Sequence, residues 1–105
     1  MGKDNKDKER SNFARVEKEV PLPPGWKWAI VVGEPAVEGP GREYRDEHSW
    51  LTWYDDEQQW FVRVIPPGYK DMPKWEALSL DTGLTDIVEA AKVLASYVYM
   101  GMVSP

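Results

Sequence analysis

The sequence predicts an α+β fold: a small antiparallel sheet of three to four strands with a C-terminal helix packed on one face, behind a disordered N-terminal tail. Three observations point there. Short apolar stretches, rich in Trp, Tyr, Val and Ile and bounded by Gly, Pro and Asp, occupy the middle of the chain and read as strands. The final stretch instead carries its apolar residues at helical spacing. Strands first and a helix last favour an antiparallel sheet over alternating strand and helix units.

Residues 1–20 read as a flexible charged tail. Gly2 to Ser11 mixes Lys, Asp, Glu and Arg with no apolar face, so burial cannot offset the entropy of ordering it. Phe13, Val16 and Val20 follow at helical spacing and either form a short helix or lie along the domain. Pro21-Leu22-Pro23-Pro24-Gly25 breaks any helix and opens a single domain over residues 21–105.

Trp26 to Val32 reads as the first strand, with Trp26, Trp28, Ile30 and Val32 on one face. Gly33 to Gly41, rich in Gly, Pro and Glu, reads as a loop. Tyr44 to Tyr54 gives a second strand and Trp60 to Ile65 a third, joined by the polar connection Asp55-Asp56-Glu57-Gln58-Gln59. Pro66-Pro67-Gly68 ends the third strand, and Pro73 precedes a short fourth, Trp75 to Leu80. Prolines at these ends cost no ladder hydrogen bond. From Leu84 to Met100, apolar residues recur at Leu84, Ile87, Val88, Ala91, Leu94, Ala95 and Val98, one face of a helix. Thr85 or Asp86 can cap its start, and Gly101 suits the left-handed position past its end. A second stripe, Ala90, Val93, Tyr97 and Met100, is covered either by Phe13 and Val16 or by a partner, which makes Val93, Tyr97 and Met100 a candidate homodimer interface.

Composition narrows the chemistry. A chain of 105 residues has room for one domain, and 42% hydrophobic residues suffice for a core. With no cysteine, disulfides, thiolate catalysis and cysteine-bound zinc are excluded together. Met1 to Asn12 lacks the apolar stretch of a signal peptide, and no run approaches a membrane span. The expected location is the cytoplasm. Residues 1–20 are nearly balanced in charge, whereas residues 21–105 carry thirteen Asp/Glu against seven Lys/Arg. That balance argues against a phosphate-tracking nucleic-acid surface and suits a basic partner or simple solubility.

Asp81-Thr82-Gly83, preceded by Ala77-Leu78 and followed by Thr85-Asp86, resembles the active-site turn of retroviral-type aspartic proteases. The resemblance implies a homodimer in which two Asp81 carboxyls share a proton and activate water. That family continues from this turn into strands, whereas here the pattern turns helical. An alternative is a strand-to-helix turn whose aspartate accepts nearby backbone N–H groups. Leu22-Pro23-Pro24-Gly25-Trp26, Gly41-Arg42-Glu43-Tyr44, His48 and Thr52-Trp53 are similar to WW domains, which bind proline-rich peptides in an aromatic groove. By that likeness Tyr44 and Trp53 would form the groove and His48 its rim. The loop after Trp26 is longer than in that family, and the proline that should follow Trp53 is missing.

Other chemistries fare worse. His48 and Ser49 point to opposite faces of a strand and cannot pair as base and nucleophile. Asp55-Asp56-Glu57 lacks the spacing and turn glycine of a calcium loop, so neither metal nor cofactor is expected. The remaining concentration is aromatic. Trp50, Trp53, Tyr54 and Trp60 crowd one hairpin beside Asp55, Asp56 and Glu57, and the odd spacing of Trp50 and Trp53 sends them to opposite faces. Aromatic anchors with acidic neighbours suit a basic protein partner rather than single-stranded nucleic acid. In composition the chain is similar to small acidic inhibitors, such as phage-encoded inhibitors and toxin-immunity proteins. The expected function is therefore non-catalytic protein binding or inhibition.

Overall fold

The computed structural model describes residues 2–42 and 47–105, with side chains from residue 8 onward. Its elements are α1 (Gly2–Glu19), β1 (Lys27–Val31), β2 (Glu34–Glu38), β3 (Ser49–Tyr54), β4 (Gln59–Val64), β5 (Leu78–Asp81) and α2 (Ile87–Tyr99), with one turn of 3-10 helix at Tyr69–Asp71. The fold is α+β, and the five strands form one antiparallel sheet in sequence order.

The sheet has five strands rather than three to four, because the expected loop after Gly33 contains β2. Val32 and Gly33 both take positive φ, 50° and 76°, and close a two-residue hairpin in which Val31 pairs with Glu34. The pair beside such a turn exchanges both backbone hydrogen bonds, so the next pair, Ile30 and Pro35, exchanges none. Pro35 therefore takes no donor from the β1 ladder. Its nitrogen side faces β3 where the β2–β3 pairing, at Ala36↔Trp50 and Val37↔Ser49, has already stopped. The Glu34 carboxylate fills that gap by accepting the Trp53 backbone N–H at 3.0 Å. The expected start of the next strand, at Tyr44, lies outside the described residues.

The N-terminal segment departs further from its expectation. In place of a disordered tail, residues 2–19 are helical, and Val16 and Val20 are fully buried. Three apolar residues at a spacing of three and four anchor the segment, while the charged residues of α1 from Lys8 onward stay exposed. The Trp28 indole N–H donates to the Val20 carbonyl at 2.8 Å and satisfies one of the carbonyls at the end of α1.

One buried cluster gathers Val16 and Val20 with Trp28, Val37, Leu51, Val62 and Val64 of the strands and Val88, Ala91, Leu94 and Val98 of α2. By register the strand members share a face: Trp28 opposes Val37, and Leu51 opposes Val62. The buried Ser49 hydroxyl accepts the Ile65 N–H at 2.8 Å. Asp86 caps α2 by accepting the Glu89 N–H at 3.0 Å. At the other end, Gly101 N–H reaches Val98 O and Met102 N–H reaches Tyr97 O, the paired bonds of a left-handed glycine stop.

Candidate functional site

The β3–β4 hairpin carries all seven residues expected to contact a partner. Its register pairs Trp50 with Arg63, Thr52 with Phe61, Trp53 with Trp60 and Tyr54 with Gln59. Trp53 and Trp60 therefore share the face of Leu51 and Val62, whereas Trp50 and Tyr54 share the opposite face with Phe61 and Arg63. The four expected rings are divided two and two.

On the face away from the core cluster, Tyr54 and Phe61 stack with centroids 4.2 Å apart and planes 19° apart. The Arg63 guanidinium sits 5.6 Å from the Trp50 ring centroid, within cation–π range. Tyr54 is 45% exposed, and Trp50 and Phe61 are half-buried. The hairpin tip is held by its own bonds, with the Gln58 side chain donating to the Asp55 carbonyl at 2.6 Å. Asp55, Asp56 and Glu57 are all exposed there. Phe61 and Arg63 were not anticipated from sequence, although two-residue periodicity counted back from Val62 places both opposite the core face.

On the other face, Trp53 and Trp60 meet edge to face at 5.4 Å and 63°. The Trp60 indole donates to the Thr85 carbonyl at 3.1 Å, which ties the hairpin to the entry of α2. Beside these rings the middle of α1 and the N-terminus of α2 border a cleft of about 330 Å³.

The Asp81-Thr82-Gly83 turn is stitched to the start of β4. The Asp81 carboxylate accepts the Gly83 N–H at 3.1 Å, the Gln59 side-chain oxygen accepts the same N–H at 2.6 Å, and the Thr82 hydroxyl donates to the Trp60 carbonyl at 2.6 Å. The aspartate thus serves the local turn. Of the residues that the WW likeness would join, Tyr44 lies outside the described residues, and Trp53 stands on the core side. His48 is engaged with Glu38 at 2.9 Å, and Arg42 donates to its other nitrogen at 3.2 Å. That contact and the neighbouring Lys27 hold the Glu38 carboxyl below its usual range.

The second stripe of α2 is divided as well. Ala90 is buried, and Val93 and Tyr97 are half-buried against the core cluster. Met100 is 60% exposed, next to Tyr99 and Met102, which are also exposed. Arg15 of α1 reaches Asp86, one turn before Ala90, and the Tyr99 hydroxyl donates to the Pro21 carbonyl just past the end of α1. Among the described residues no helix is long and apolar enough to cross a membrane, and no group of three or more His, Asp or Glu side chains is placed to hold a metal ion. No protein-family model, no curated protein and no solved structure matches this chain.

Proposed function

We propose that this protein is a non-catalytic binding or inhibitory protein that engages a basic protein partner through the β3–β4 hairpin. The observation that carries this reading is the juxtaposition of partly exposed rings, Trp50, Tyr54 and Phe61, with the exposed carboxylates of Asp55, Asp56 and Glu57 at the adjoining tip. In this reading the partner meets the hairpin on the side away from the core cluster, at Tyr54 and the exposed parts of Trp50 and Phe61. The rings supply rigid contact area at low entropic cost, and the carboxylates steer a cationic surface toward them.

The experiment begins with affinity capture of the partner and proceeds to association kinetics over a range of salt. Reversing Asp55, Asp56 and Glu57 to Lys should slow association about tenfold or more and flatten its salt dependence, with the fold intact because the tip is solvent-exposed. Tyr54→Ala should leave the on-rate alone and speed dissociation. Kinetics indifferent to both changes, or a captured partner with an acidic contact surface, would refute the proposal.

A further inference from the structure

The cleft on the opposite side of the hairpin has a chemistry of its own. One wall is the edge-to-face pair of Trp53 and Trp60. Both indole N–H groups are already directed elsewhere, Trp60 to the Thr85 carbonyl and Trp53 to Asp55 at 3.4 Å. What this wall offers is ring surface rather than donors. The facing wall is α1, where Lys8, Asn12 and Arg15 recur at steps of four and three and so line one side of the helix.

The polar ends on that wall are only partly used. Lys8 and Asn12 make no side-chain hydrogen bond or ion pair with any described residue. Arg15 divides itself between Asp86 at 3.2 Å, through one terminal nitrogen, and Glu19 at 3.8 Å, through Nε. Its second terminal nitrogen retains its donors. Asp86 also accepts the Glu89 N–H, which lowers its carboxyl from the ordinary range and keeps it ionised. Among the lining side chains Lys8 and Arg15 are cations and Asp86 an anion, with Glu19 beside Arg15 and Asp55 beside the Trp53 indole just outside the lining. The α2 N-terminus is capped by Asp86, whose carboxylate accepts the Glu89 N–H.

We propose that this cleft binds a monocarboxylate carried on a flat apolar body, the ring against Trp53 and Trp60 and the carboxylate between Lys8 and Arg15. A volume of about 330 Å³ lies at the small end of ligand pockets and admits one or two fused rings. A doubly charged phosphate would exceed the available positive charge and be repelled by Asp86. A neutral amide of the same shape would leave the Lys8 ammonium without a counter-charge. The same chemistry is presented by a free aromatic acid and by a peptide ending in an aromatic residue with a free carboxylate. This site is independent of the hairpin's open face.

The test is an NMR titration of the full chain, following the Trp53 and Trp60 indole N–H signals. The probes are 2-naphthoate, 2-naphthamide, 2-naphthyl phosphate, and a short peptide ending in Phe with a free or an amidated terminus. Naphthoate should bind about tenfold more tightly than naphthamide and more tightly than the phosphate, with shifts concentrated at the two indoles and Arg15. Lys8→Gln should weaken naphthoate about fivefold without changing the amide, the size expected of one partly screened charge contact. If the free-terminus peptide surpasses naphthoate, the ligand is a chain end; if naphthoate surpasses the peptide, it is a small acid. Equal binding of naphthoate and naphthamide, indifference to Lys8→Gln, or shifts centred elsewhere would overturn the proposal.

Discussion

Val32 occupies a position that its side chain does not favour. It stands at the tip of the β1–β2 hairpin with φ of 50° and is 94% exposed. A β-branched residue in the left-handed region brings its side chain against the backbone at a cost of about 1–2 kcal/mol, and here no burial offsets it. Val32→Asn should therefore raise stability by about 1 kcal/mol, read from the midpoint of denaturant unfolding, because Asn-Gly is the preferred pair for such a turn. Unchanged or lower stability would show that the valine has a packing role. Glu34, two residues on, is strained by its surroundings instead. Burial raises its carboxyl above the usual range, and the charge of Glu9 adds to this, while the bonds from Trp53 N–H and Thr52 oppose it. A carboxyl raised in the folded state binds its proton more tightly there than in the unfolded chain. Its ionised form thus costs stability at neutral pH, and the cost disappears as pH falls through the folded and then the unfolded value. Glu34→Gln keeps an acceptor for the Trp53 N–H, so the variant should be the more stable at neutral pH and lose that advantage in acid. A pH-independent difference in unfolding free energy would contradict the assignment.

At the scale of elements, α1 shows how few residues can hold a helix in place. Its charged residues 8–10 are exposed, while Val16 and Val20 enter the core and Phe13 packs at its edge. Removing residues 1–11 should leave thermal unfolding nearly unchanged, whereas Val16→Asp should cost several kcal/mol by placing an unpaired carboxylate among Trp28, Leu94 and their neighbours. Comparable effects of the two changes would mean that the charged residues contribute to the fold as much as the apolar ones. Phe13, Val16 and Val20 were visible in sequence, but the charge around them disguised a helix as a tail, since tertiary burial decided what local composition opposed. In β2 the disguise was Pro35, a strand breaker by reputation that here stands at a non-bonded pair beside the end of a ladder. By contrast α2 was legible almost to its ends, because its apolar spacing, the Asp86 cap and the Gly101 stop all agree. The parity of Trp50 and Trp53 was equally legible, since alternation on a strand needs no knowledge of what covers either face. The cleft was not, because Lys8 and Arg15 lie some forty residues from Trp53 and meet it only through the fold.

For the whole molecule, the order of the parts has a consequence in time. The sheet is a meander in which every strand pairs with its predecessor, so each hairpin closes a short stretch of chain and can form as soon as it is complete. The helices obey the opposite logic. α1 precedes all the strands and α2 follows them, yet Val16 and Val20 share one cluster with Leu94 and Val98, and Arg15 reaches Asp86 across 71 positions. On a ribosome α1 would leave the exit tunnel with its apolar stripe unaccompanied, while the sheet assembled beside it and the elements that cover both came last. The dense, nearly balanced charge on its other sides then gains a purpose besides the folded state: it keeps the waiting segment hydrated. In a cell-free translation arrested before Ile87, the Val16 stripe would accordingly be open to a protease or a chaperone, and its shielding would mark the moment at which α2 arrives.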